Sequence, residues 1–319
     1  MMTEFSIDEA GIVPAAEGRG QVLVFVAPDD REKSILRDQF LLDDYDLSST
    51  LDPDEVPRVE ASGGRTFIIW KIPRSAKVSE AVELGVRPVS LALVGDRLAI
   101  VMNEGEISFS AREFRNCRSV RDVLLAFLLY TVRHYVGHLR VIKQMSSEIE
   151  KKITVSMENR HLLQMFALSE SLVYYVDGIE GNGAVLAKLH SIATELGLDT
   201  RQHQLLEDIV LENGQAARQA NIYSSILSGL MDARGTIVNN NMNVLLKNLT
   251  LINTVLLPLN LIASIGGMSE WSMMTEGLDW RLSYFLFSLG MVALGWATWI
   301  FMKKVIDRDE LRSHPKRSK

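Results

Sequence analysis

The sequence predicts an α+β chain: a cytoplasmic α/β domain, a stalk of long helices and a C-terminal two-helix transmembrane hairpin. Three observations predict it. Short β-branched and aromatic runs separated by turn signals occupy about Gln21 to Asn103. No proline interrupts the chain between Pro88 and Pro258. Two apolar runs then follow, one between Lys247 and Glu270 with no charged residue inside it, the other from Leu282 to Met302, also uncharged. The expected divisions are residues 1–118 for the α/β domain, 119–243 for the stalk, 244–303 for the membrane part with spans at about 246–266 and 281–302, and 304–319 for a basic tail.

Within the first division, Gln21 to Val26 and Arg65 to Trp70 are strand candidates, and Val89 to Val94 with Leu98 to Met102 flank Gly95-Asp96 as a hairpin. Asp29 to Phe40 has a helical pattern, and Asp52 to Pro57 is a loop. This domain carries no catalytic signature. Cys117 is the one cysteine and has no partner for an internal disulfide, so a small, partly buried side chain is expected there.

Without proline, no interior amide is missing and no ring clashes with the preceding turn, so very long helices persist. One is expected from about Ser119 to Val155 and a pair from Asn159 to Leu196, broken near Gly178 to Gly183. A last helix is expected from about Thr200 into the membrane. Continued to about Ile265, its ~65 residues extend roughly 100 Å. A helix of that length is stabilised by burying a face against a neighbour, and copies of itself are the expected neighbours.

A mean hydropathy of only +0.08 and a net charge of −6 blur the two kinds of segment together. Each apolar run nevertheless reaches the ~20 residues that a bilayer requires. Lys303, Lys304, Arg308, Arg312, Lys316, Arg317 and Lys319 follow the second run, whereas the connection carries Glu270, Glu276 and Asp279 before Arg281. The positive-inside rule puts both termini in the cytoplasm of an inner or plasma membrane. Met1 to Pro14 includes Glu4, Asp8 and Glu9 and lacks the pattern of a secretory signal.

Inside the first run, Asn243, Leu246, Thr250, Asn253, Leu257, Asn260 and Ser264 recur at steps of three and four, one face of a helix. An amide unsatisfied in hydrocarbon costs roughly 2–7 kcal/mol. Two readings answer that cost. The polar residues join helices through hydrogen bonds worth about 0.6–2 kcal/mol each, or they face a water-filled pore. Amide oxygens facing such a pore would hold the water shell of a hydrated cation without stripping it, and weakly enough for the ion to leave. Leu246, Leu249 and Leu257 fit either a dewetting constriction or plain packing.

Lys247-Asn248-Leu249-Thr250, Pro258-Leu259, Ile262-Ala263 and Gly267-Met268, with the short acidic connection and a second span ending in lysines, resemble the CorA family of divalent-cation channels and transporters. The similarity is clearest from about Leu206 to Lys304. It implies a funnel-shaped homopentamer whose first membrane helices line a central pore inside a ring of second helices, with divalent cations as substrate. The family's Gly-Met-Asn signature falls on Gly267-Met268-Ser269, with serine in place of asparagine and Gly266 in place of the usual aromatic. The exchange alters the ligand that the outer mouth offers a hydrated ion, and Glu270 would add a carboxylate ring. Asp232 matches the family position that binds magnesium between subunits and holds the channel shut. Asp96 is the weak candidate for its carboxylate partner, and a solvated acid beside Arg234 is the plainer reading.

Neither span contains His or Cys, so a zinc cage in the pore is not expected, although passage of hydrated zinc, cobalt or nickel stays open. His134 and His138, spaced i, i+4, read as packing or surface residues. No phosphate-binding glycine loop, nucleophile elbow or metal-ligand motif points to an enzyme. Neither a resident cofactor nor a nucleic-acid partner is expected. No proton relay appears in the spans, which favours a passive channel. A non-conducting pentameric scaffold or metal sensor of the same fold is the alternative.

Overall fold

The computed structural model describes residues 1–8, 11–74, 77–78, 82–155, 159–268, 273, 277 and 279–313. They form two compact units, Met1–Asp232 and Ala233–Lys319.

The first unit is built on a seven-stranded mixed sheet. Its strands are β1 (Met2–Asp8), β2 (Gly11–Pro14), β3 (Val22–Val26), β4 (Arg58–Ser62), β5 (Arg65–Pro73), β8 (Val86–Val94) and β9 (Arg97–Met102), in the order β2-β1-β3-β9-β8-β5-β4. A separate two-stranded ladder joins β6 (Lys77–Val78) to β7 (Val82–Glu83). Only β3 and β9 run parallel among the sheet pairs, and Val94 faces Arg97 across the expected Gly95-Asp96 turn.

Period-two alternation sorts the side chains between two faces. Leu23, Phe25, Phe67, Ile69, Ala99 and Val101 point to one side, where α1 (Asp30–Phe40) and α2 (Asp44–Leu51) supply Leu36, Phe40 and Leu47. Val24, Ile68, Trp70, Leu98 and Ile100 point to the other, against α3 (Val120–Val155), α4 (Asn159–Ser191) and the first turns of α5 (Thr200–Gly266). Both small helices start at an acidic capping box. Asp29 accepts from the Glu32 amide at 2.8 Å while Glu32 accepts from the Asp29 amide at 3.0 Å, and Asp43 and Asp46 repeat the arrangement.

A second cluster ties the long helices together through Tyr135, Leu139 and Ile142 of α3, Leu168, Leu172 and Tyr175 of α4, and Ala216, Ala220 and Leu227 of α5. Buried Cys117 belongs to the sheet core, where burial pushes its thiol up to about 12.

One expected break is absent. α4 runs uninterrupted through Gly178 to Gly183. These glycines permit close approach instead of a turn: a Cβ on Gly178 would lie 2.8 Å from the Tyr135 hydroxyl, and one on Gly181 would lie 2.8 Å from Pro57. Between them and Gly183, fully buried Asn182 takes over where β4 ends. The last pair of that ladder is Arg58 with Ile69, and two residues further along β5 the Asn182 side chain accepts from the Lys71 amide at 2.9 Å and donates to the Lys71 carbonyl at 2.7 Å. The side chain thus completes a sheet edge that would otherwise be left unpaired beneath a helix. The β1–β2 hairpin, α2 and β4 are additions to the expected elements.

Replacing Asn182 with alanine strands both Lys71 groups, and we expect a loss of roughly 2–4 kcal/mol, read as a lowered unfolding midpoint of the purified protein in detergent.

Candidate functional site

In the second unit the membrane part of α5 packs on α6 (Trp280–Ser313), and both helices are long and apolar enough to cross a bilayer. Residues of α5 that are partly covered recur at Leu251, Thr254, Val255, Pro258, Leu259, Ile262 and Gly266, one helical face. α6 meets it with Ser283, Phe287, Met291, Gly295, Thr298 and Met302. Small residues set the fit at two levels. A Cβ on Gly266 would lie 2.7 Å from the Phe287 ring, and one on Gly295 would lie 3.3 Å from Leu259. Gly266, which stands in place of the usual aromatic, therefore has a packing role against α6.

The polar stripe lies on the opposite side. Asn243, Leu246, Thr250, Asn253, Leu257, Asn260 and Ser264 are all exposed, with Leu257 at 67%. Bonds to α6 are therefore not what the stripe provides within one chain. Thr250 donates to the Leu246 carbonyl at 2.8 Å and Thr254 to that of Thr250 at 2.8 Å, so these hydroxyls are satisfied inside the helix. Pro258 lies inside α5 and has no N–H to offer the Thr254 carbonyl four residues back. Leu249, Ile252 and Leu256 flank the stripe on one side and Leu261 and Ile265 on the other, all exposed. Of these flanks only Leu249 was singled out in the sequence, although the same 3.6-residue period places Ile252, Leu256, Leu261 and Ile265 as well. The helix ends as the Gly267 amide is shared between the carbonyls of Ala263 at 3.1 Å and Ser264 at 3.3 Å. Gly267 and Met268 follow, exposed, while Ser269 and Glu270 lie outside the described residues.

The arrangement is an amide- and hydroxyl-bearing face on a membrane helix, bordered by apolar strips and uncovered by its own chain. A family model described as CorA-like Mg2+ transporter protein matches residues 22–304. The chain belongs to that family.

Two curated relatives are cobalt/magnesium transport proteins CorA. The one from Methanocaldococcus jannaschii is 24% identical over 253 residues, covering 76% of this chain and 77% of its own. The one from Thermotoga maritima is 26% identical over 266 residues, covering 81% and 75%. The solved complete structure of the M. jannaschii CorA magnesium transporter superposes with a TM-score of 0.71 over 96% of each chain at 19% identity, a likeness of fold. CorA membership together with two uncovered apolar helices makes this a membrane protein.

The remaining candidates lie elsewhere in the CorA-like chain. Asp232 is exposed on α5 at the end of the first unit, while Arg234 two residues on is buried. Asp96 makes an ion pair with Arg121 at 3.1 Å. Among the described residues no three His, Cys, Asp or Glu side chains are grouped to hold a metal ion. His134 and His138 belong to an aromatic file along α3. Their ring centroids are 4.5 Å apart, and His138 Nδ1 lies 2.6 Å from the Tyr175 hydroxyl. Burial, followed by the nearby Arg87 charge, lowers the pKa of His134. Burial, followed by His134, lowers that of His138 to about 4. Both rings are half-buried packing groups, His134 along α3 and His138 against Tyr175 of α4, in keeping with the packing-or-surface reading.

Their titration carries a sign. The unfolded chain takes up protons near the ordinary histidine pKa of ~6.5 while the folded state resists until about 4, so stability is fully present above ~6.5 and falls as pH drops through that window. Unfolding midpoints between pH 7 and 4 should show the fall, and His138→Asn should flatten it.

Proposed function

We propose that this protein carries divalent metal cations across the membrane through a central pore of a homopentamer, lined by the stripe from Asn243 to Ser264. One observation carries the reading: the polar face of α5 is turned away from α6 and is left uncovered by its own chain. Isolated in lipid, Asn253 and Asn260 would be costly. Around a water-filled axis they meet water, and the apolar flanks meet neighbouring copies. The names of the two relatives support cobalt and magnesium as cargo. Hydrated zinc and nickel are further candidates, because amides and hydroxyls grip a water shell instead of the metal itself.

The topology that fits has both termini in the cytoplasm, with Lys303 and Lys304 at the inner surface. Gly267, Met268, Ser269 and Glu270 then form the outer mouth. Transport is passive, driven by the membrane potential at ~2.3 kcal/mol per charge per 100 mV.

The test is flux of magnesium, cobalt, nickel and zinc into proteoliposomes under an applied potential. Asn260→Leu replaces an amide ring with an apolar one, and flux should fall roughly tenfold or more, an added barrier of ~1.4 kcal/mol. Flux unaffected by the change would remove the stripe from the path. No flux for any ion from the unaltered protein would favour the non-conducting scaffold or sensor.

Asp232 is proposed as a regulatory metal ligand between subunits. Asp232→Asn should weaken closure by cytoplasmic magnesium, raising the concentration that halves the flux by roughly tenfold for the loss of one charged ligand. An unchanged half-closing concentration would reject the role.

A further inference from the structure

α6 has an outer face of its own, away from α5. Phe285, Val292, Trp296 and Trp299 lie on it and are 64%, 70%, 69% and 47% exposed. Lys303 continues the same face, four residues beyond Trp299 and seven beyond Trp296, with Lys304 beside it, and both lysines are exposed. From Trp280 to Lys303 the helix rises ~34 Å, close to the ~30 Å of a hydrocarbon core, so the two ends fall at the two interfaces.

The ends differ in how their cations are engaged. Arg281 lies over the ring of its neighbour Trp280, 5.3 Å from the centroid. At the other end, Lys303 and Lys304 and the indole N–H groups of Trp296 and Trp299 have no hydrogen-bond or ion-pair partner among the described residues. Two indole donors and two ammonium groups, all donors, thus follow one another over the last ~12 Å of the span, where an apolar helix face reaches the membrane surface. A ligand that satisfies them has an anionic, acceptor-rich head and a hydrocarbon body that lies along Val292 and Phe285.

We propose that Trp296, Trp299, Lys303 and Lys304 form a binding site for an anionic phospholipid, with its phosphate at the indole and ammonium donors and its acyl chains along the outer face of α6. The ammonium groups select for headgroup charge. The indoles fix depth, since an amphipathic ring is most stable at the boundary between tails and headgroups. The site is independent of which ion crosses and of whether any ion does.

The test uses the full-length protein in a mild detergent, with phosphatidylglycerol or phosphatidylcholine added and unfolding midpoints measured. Phosphatidylglycerol should raise the midpoint more than phosphatidylcholine does. In Lys303→Gln/Lys304→Gln the preference should disappear, its apparent affinity for phosphatidylglycerol falling roughly 30-fold, while the midpoint in phosphatidylcholine is kept. Lys303→Arg/Lys304→Arg retains the charge and should retain the preference, which separates a lost headgroup site from a damaged fold. Trp296→Phe/Trp299→Phe keeps the rings, removes both N–H donors and should reduce the preference. Equal response of the unaltered protein to the two lipids would overturn the proposal. So would a preference that survives the double glutamine change, or one lost equally in Arg312→Gln, which would reduce the effect to the charge of the tail.

Discussion

A backbone N–H or C=O deprived of water must find another partner, and this constraint organises both units. In the membrane it leaves the helix as the form of each span, because only a helix satisfies its own backbone while lipid surrounds it. In the sheet it explains why a single amide, Asn182, lies buried under α4 at the point where β4 stops. The same demand shapes α5, whose 67 residues are stabilised by what covers them. One face is buried by α3 and α4 in the first unit, and one face is covered by α6 in the second.

What remains of α5 in the membrane is chemically divided. Its uncovered side carries amides and hydroxyls bordered by leucine and isoleucine. A helix with such a side is stable where water or polar groups of a neighbouring helix meet the strip and other apolar surface reaches the borders. That condition is met by several copies around an axis, which is why the proposed assembly and the proposed path follow from a single feature. For the proposed path the absence of a charged residue along the strip matters as much, since neutral ligands would bind a hydrated ion weakly enough to release it.

Legibility in the sequence followed the kind of signal each element carries. The long helices were legible because proline was absent, and the ends of α3 and α5 fell within a residue or two of expectation. β3, β5, β8 and β9 were legible because buried strands are dense in β-branched and aromatic residues. β1 was missed because its buried Glu4 and terminal Asp8 read as polar chain. Glu4 is in fact satisfied by the amides of Gly18 and Gly20. β4 was missed because Arg58 and Glu60 pair with each other on an edge strand and interrupt the apolar pattern.

By itself, the sequence determined the periodicities: the two apolar spans, the unbroken stalk helix and the three-and-four spacing that puts Asn243, Asn253 and Asn260 on one face. Periodicity fixes which residues share a face and says nothing about what that face meets. Tertiary structure decided that the stripe is turned from α6, because Gly266 and Gly295 let the opposite face of α5 pack there instead. It also decided that Gly178 and Gly181 are contact points and not a turn. A glycine's spare volume becomes a bend or a close approach according to whether another chain segment is there to fill it, and that is known only once the fold brings the segment near.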